Sequence, residues 1–187
     1  MKIETIEIAG LAGALTALRL PFGKEVRSEI ETRISDMNAM IAFNIVSYAA
    51  DITINDKDLT LMQTLVKRGD EHAKVVRGIN VWAKITAPVY WWAEEETYRA
   101  GHERLASEST MHIDCKGLSG KELQEAKAAI PMGKELTKVD MFSYQTLRRI
   151  VAQRHNHRLP EWHTFVDWVR TLPFAEELIL VGLETEE

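Results

Sequence analysis

The sequence predicts an α+β fold, a single domain over residues 1–187 in which a mixed sheet packs with helices. Three observations lead there. Polar and apolar residues alternate over 3–8 and again over 75–87, the period of a strand. Apolar residues recur at helical spacing in Leu59, Met62, Leu65 and Val66, and again in Phe165, Val166, Val169 and Leu172. The two patterns follow one another without a regular βαβ rhythm, which sets the chain apart from doubly wound folds.

Each element has a local reason. The alternation of Ile3, Thr5 and Glu7 against Glu4, Ile6 and Ile8 predicts the first strand. Residues 10–19 are rich in Ala and Leu and read as a helix closed by Pro21 and Gly23. Residues 24–37 are highly charged and suit a helix or an exposed excursion, and 39–48 suit a buried segment of either type. Asn55-Asp56 opens a helix, and Gly69 falls where its C-terminal cap belongs. Residues 75–87 carry the β-branched and aromatic residues of a strand that Pro88 ends, and 89–98 read as a helix. Ser119-x-x-Glu122 is a capping box before a helix that Pro131 stops. Leu147, Ile150 and Val151 share one face of a helix over 141–153. Pro160 suits the first turn of a final helix, and Pro173 stops it.

Composition narrows the function classes. The chain has 187 residues, 45% hydrophobic and 27% charged, the balance of a globular domain rather than of a disordered chain, a collagen or a coiled coil. No apolar run approaches the ~20 residues of a membrane span, and MKIETIEIAG has no apolar core of a signal peptide. A net charge of −5 without a block of like charge argues against general nucleic-acid binding. A single cysteine, Cys115, excludes an internal disulfide and fits a cytoplasmic protein. There is no G-x-S-x-G, Walker loop or G-x-G-x-x-G.

Three constellations could carry chemistry. Trp91-Trp92-Ala93-Glu94-Glu95-Glu96-Thr97-Tyr98-Arg99 reads as core aromatics with solvated Glu, as a flat floor for a planar ring with Arg99 on a phosphate, or as an exposed aromatic interface. Ala106-Ser107-Glu108-Ser109-Thr110-Met111-His112 reads as a helix-capping turn or as a phosphate cradle. Arg148-Arg149 and Gln153-Arg154-His155-Asn156-His157-Arg158 form the most basic stretch, a solvated turn or an anion site. His155 and His157 are two apart and would diverge on a helix, and no other His pair or Cys complements them, so no metal site is expected.

Read in order, these stretches resemble the flavin-dependent thymidylate synthases over residues 60–172. Gly69-Asp70-Glu71-His72 is similar to that family's G-H-x-S-x-x-E-H segment, and Pro88 to its strand end. Arg99 precedes Ser109 by the spacing the family keeps between the first Arg of R-H-R and its serine, and Ser109-Thr110-Met111-His112 then falls on S-x-R-Y. Leu147 to Arg154, followed by His155-Asn156-His157 and Glu161-Trp162, resembles the C-terminal element. The chain also resembles small phage-encoded proteins with P-x-Y-W-W and S-T-M-H segments. Departures are Ala100 and Gly101 after Arg99, Ser107 at the Glu of N-E-x-S unless neighbouring Glu108 serves instead, and Met111 at the Arg of S-x-R-Y. A gapless count from Pro88 puts Ser107 rather than Ser109 at the motif serine.

The resemblance implies a cytoplasmic homotetramer that binds FAD and dUMP in sites shared between subunits. Reduced flavin would supply a hydride and methylenetetrahydrofolate the carbon. His72, Arg99, Arg154 and His157 would lie near FAD. Glu94, Ser107, Ser109 and Thr110 would lie near the nucleotide, Ser109 as the catalytic residue. Arg99 and Ser109 would then line one cavity. The missing arginines set a limit, since each removes a charge-assisted contact of roughly 1.5–3 kcal/mol. Two such losses weaken binding about 10²–10⁴-fold. The same resemblance therefore accommodates a non-catalytic nucleotide-binding or protein-interaction module, for instance a phage accessory protein.

Overall fold

Four strands and the helices laid on one of their faces hold the core together. The computed structural model describes residues 1–23, 29–30 and 52–183. Strands β1 (Lys2–Ala9), β4 (Asn80–Pro88), β5 (His102–Ser107) and β6 (Glu135–Ser143) form one sheet in the order β1-β4-β6-β5. The α+β class holds, and the sheet, expected to be mixed, is antiparallel at every pairing. A small ladder pairs β2 (Glu29–Ile30) with β3 (Ile52–Thr53). The rest of the charged stretch 24–37 and all of 39–48 lie outside the described residues.

The expected helices at 10–19 and 56–67 are present as α1 (Leu11–Leu18) and α2 (Asp56–Lys67). Asn55 caps α2 through its side chain, which accepts from the Lys57 N–H, and Gly69 adopts φ +101° just beyond its end. The strand expected over 75–87 starts later. Its first residues instead form one helical turn, α3 (Lys74–Arg77), which tucks Val75 and Val76 inward before Asn80 begins β4. Helix α4 (Val89–Glu95) follows Pro88 directly. Two short helices, α5 (Thr110–Ile113) and α6 (Gly120–Ala128), follow β5. Ser119 stands at the N-cap of α6, but its side chain makes no capping bond.

The helix expected over 141–153 is shifted. Met141–Ser143 complete β6, and α7 (Tyr144–Arg154) starts where the Ser143 hydroxyl accepts from the Thr146 N–H. Helix α8 (Pro160–Arg170) has Pro in its first turn as expected, and a π-turn over Glu176–Leu180 follows it.

The inner sheet face carries Val81, Ala83, Ile85 and Ala87, all buried, and α8 lies across it. Phe165, fully buried, meets Phe142 of β6 and Trp91 of α4 edge-on or tilted at 5.8 Å. Trp168 reaches the far edge, donating its indole N–H to Thr5 Oγ1 of β1 at 2.9 Å. Burial of each such aromatic removes roughly 150–250 Å² from water. Trp91 and Trp92 are 0% and 2% exposed. They belong to this core, and neither an aromatic interface nor a ring-binding floor can be built on them.

Candidate functional site

Helix α4 ends on three consecutive carboxylates, an unfavourable end for negative charge beside the helix dipole. Each is held by cations from elsewhere rather than left in solvent. Glu95 points inward and is fully buried. Arg104 of β5 donates to Glu95 Oε2 at 2.7 Å, to Glu96 Oε1 at 2.6 Å, and through Nε to Asp140 Oδ1 of β6 at 3.1 Å. Lys138 of β6 adds a bond to Glu96 Oε1 at 3.1 Å and sits 4.4 Å from the centre of the Trp92 ring. His102 faces the same carboxylates, with Nε2 3.2 Å from Glu95 Oε1 and 3.5 Å from Asp140 Oδ2. Its ring stacks on Phe142, its partner in the ladder, at 4.7 Å.

The register explains this convergence. Arg104 is paired with Asp140 and His102 with Phe142, so the side chains at 102, 104, 138 and 140 all project to the helix-covered face. The consequence is a charged patch inside an otherwise apolar layer. Burial pushes the Glu95 carboxyl up to about 7, an effect the charge on His102 partly offsets. For His102, burial works against the charged ring, but Asp140 and Glu95 outweigh it and raise its basicity.

A second cluster gathers three of the residues expected in the site. Glu94 accepts from Arg154 at 3.1 Å and from the Trp162 indole at 2.9 Å, and its Oε2 lies 3.5 Å from His157 Nε2. His157 Nδ1 accepts from the Leu159 N–H, so Nε2 carries the hydrogen and points at the carboxylate. Arg154 also donates to the Tyr98 hydroxyl at 2.7 Å and lies 4.8 Å from the Trp162 ring centre. The basic turn at 148–158 is thus largely engaged. Arg148 donates to the carbonyls of Ile179 and Val181, and Arg149 to Asp70. His155 turns Nδ1 to the Val151 carbonyl.

The remaining expected residues lie apart. His72 is exposed on the wall of a cavity of about 600 Å³, together with Gly13, Ala14, Leu18, Leu65, Lys74 and Val75. Arg99 is exposed in the turn before β5 and pairs with no described residue. Ser107 ends β5 with its hydroxyl on the Glu108 carbonyl. Ser109 is the N-cap of α5 without a side-chain capping bond, and Thr110 is bonded by Lys127. The six residues of β5 separate Arg99 from Ser109, a span of roughly 20 Å. Neither Arg99 nor Ser109 lines the cavity that holds His72.

The buried cluster of Glu95, His102, Arg104, Lys138 and Asp140 escaped sequence reasoning, although Glu95 stood in a stretch singled out there. Its signal is an inverted alternation. In β6 the charged Lys138 and Asp140 are buried, while Val139 and Met141 on the opposite face are half-buried. Read from one strand, such a pattern assigns the charges to solvent.

No protein-family model matches this chain, and no curated protein matches it. Solved structures do. A thymidylate synthase X (ThyX) from Helicobacter pylori, crystallised with FAD and dUMP, superposes with a TM-score of 0.66 at 12% identity over 98% of this chain and 100% of that one. A second Helicobacter pylori structure described as flavin-dependent thymidylate synthase ThyX, with FAD and dUMP, gives 0.65 at 12% over 97% and 98%. A UMP/dUMP methylase, PolB, from Streptomyces cacaoi bound with 5-Br dUMP gives 0.62 at 10% over 99% and 97%. The chain therefore has the ThyX-like fold. Among the described residues no helix is long and apolar enough to cross a membrane.

Proposed function

We propose that this protein binds a flavin and a pyrimidine nucleotide of the dUMP type and transfers a one-carbon unit to the pyrimidine, with methylenetetrahydrofolate as donor. The observation that carries the reading is the end-to-end likeness to structures that hold FAD and dUMP, and to a UMP/dUMP methylase. Reduced FAD, when bound, would supply the hydride.

The residues on the wall of the large cavity fit a flat ring system. A Cβ built on Gly13 meets nothing within 4 Å, so the cavity is open against that backbone. Its volume lies within the usual range for small-molecule sites. His72 and Lys74 would meet the polar groups of the cofactor, and Ala14, Leu18 and Val75 its apolar faces. In the same reading, Ser107, Ser109 and Thr110 present hydroxyls to the nucleotide, Ser109 as the catalytic group. Arg99 carries an uncommitted guanidinium for phosphate. Glu94 holds Arg154 and His157 in place beside that region. Arg99 and Ser109 reach one ligand when a second copy of the chain completes the site, so the functional form is a homo-oligomer, a tetramer by resemblance.

The test is the purified chain itself, with mass spectrometry of whatever co-purifies and thermal unfolding with added FAD and dUMP. At 100 times Kd a ligand stabilises the folded state by about 2.7 kcal/mol, which for a chain of this size raises Tm by about 5–10 °C. A yellow protein with both shifts, and turnover of dUMP with reductant and folate, is the expected result. A colourless protein with neither shift refutes the reading. A second reading, nucleotide binding without catalysis, is favoured by Ala100, Gly101 and Met111 at positions where the resembled family carries His and Arg. It predicts the dUMP shift with no turnover.

A further inference from the structure

We propose that Glu95, His102 and Asp140 form a binding site for one divalent transition-metal ion, of the Zn²⁺ class, with a fourth position open to an anionic ligand. One ligand atom from each of the three residues lies within 4.8 Å of the others. The separations of 3.2 Å and 3.5 Å from His102 Nε2 to the two carboxylates match the roughly 3.3 Å edge of a tetrahedron with metal–ligand bonds near 2.0–2.1 Å.

The hydrogen-bond pattern calls for a positive occupant. His102 Nδ1 lies 3.0 Å from the Tyr98 carbonyl, which can only accept. Nδ1 therefore carries the hydrogen, and in the neutral ring Nε2 aims a lone pair at two carboxylate oxygens. Nε2 and Glu95 Oε1 are both buried and make no hydrogen bond. The side chains that carry them are 7% and 0% exposed. These two atoms and Asp140 Oδ2 face one another, and of the three only Asp140 Oδ2 has a donor, Arg104 at 3.4 Å.

The surroundings are those of a ligand set held from outside. Arg104 takes Glu95 Oε2 and Asp140 Oδ1 and reaches Asp140 Oδ2 by a longer bond of 3.4 Å, which leaves Glu95 Oε1 without a donor, facing His102. The Tyr98 carbonyl fixes the histidine tautomer, as a backbone or carboxylate acceptor does behind a metal-bound imidazole. With Glu95 ionised, Glu95, Glu96 and Asp140 carry three negative charges against the two positive charges of Arg104 and Lys138. A divalent ion turns that balance to +1, which suits hydroxide or a phosphate oxygen as fourth ligand. The half-exposed Glu96 and Arg104 mark the side on which the site approaches solvent.

The experiment titrates chelator-stripped full-length protein with Zn²⁺ against an indicator, and with Co²⁺ while recording visible absorption. One ion per chain, tetrahedral Co²⁺ bands, and an affinity at least about 100-fold weaker in His102→Gln are expected. Equal Zn²⁺ affinity in His102→Gln overturns the proposal, because the ion then sits on other histidines. Should that variant not fold, ¹⁵N spectra of the wild-type histidines decide. Zn²⁺ must move one buried Nε2 resonance to a metal-bound position. A resonance that stays protonated with Zn²⁺ present means that a proton fills the site, and the proposal fails.

Discussion

Arg104→Met isolates the electrostatics of the buried cluster. The guanidinium spans Glu95, Glu96 and Asp140, and it is 25% exposed while Glu95 and Asp140 are 0% exposed. Met keeps much of the stem's packing and removes every donor. Two carboxylates are then left in a layer of Trp92, Phe142 and Ala83, with Lys138 and His102 as the nearest cations. Leaving a buried charge without its partner costs about 3–5 kcal/mol. Glu95, already pushed to about 7 by burial, recovers part of this by holding a proton, which sets the expectation near the lower end, about 3 kcal/mol. For a chain of this size that is a fall in Tm of about 6–12 °C. The assay is equilibrium unfolding in guanidinium with a chelator present, so that no metal contributes. Adding Glu95→Gln to Arg104→Met should restore part of the loss, because one of the two orphaned charges is gone. A single variant within about 1 kcal/mol of wild type, or a double variant equal to the sum of the singles, refutes the claim that these groups compensate one another.

Further outcomes follow from single contacts. Gly10→Ala places a Cβ 1.8 Å from the Gly78 carbonyl oxygen at φ +91°, so soluble expression should collapse or stability fall by more than about 3 kcal/mol, read by circular dichroism. Tyr144→Phe loses a buried bond from the hydroxyl to the Pro173 carbonyl at 2.7 Å and should cost about 1 kcal/mol at neutral pH. Burial raises the pKa of the Tyr144 phenol well above its ordinary value. The neutral phenol therefore contributes stability that is complete below the unfolded value of about 10 and is lost above it. The gap between wild type and Tyr144→Phe should close as unfolding is measured from pH 9 upward. Trp92→Phe removes the indole bond to the Leu136 carbonyl at 3.1 Å and shrinks the aromatic face under Lys138, and should lower stability by about 1–3 kcal/mol in thermal or chemical unfolding.

Wherever burial followed hydrophobicity, the one-dimensional pattern was a reliable guide. The first strand, the helix capped by Asn55, and the helix opened by Pro160 stand where their periodicity puts them, because each buries one apolar face and little else. The meeting of three of the residues singled out from the sequence has the same local reasons. Glu94, Arg154 and His157 do come together, since the aromatic helix and the basic turn both pack on Trp162. The strands at 102–107 and 135–143 were not legible. His102, Arg104, Lys138 and Asp140 are tolerable indoors only because partners from other segments neutralise them, and no window of a single strand contains those partners. Arg99 and Ser109 make the converse point: most of the chain between them is the six-residue strand β5, which sends them to opposite ends. The amino-acid order by itself determined the class, the Asn55 cap and the helices opened by Asn55 and Pro160, because those depend on neighbours within a turn or two. Tertiary structure alone decided which charges meet, because a buried ion's energy is set by groups dozens of residues away in the chain and a few ångströms away in space.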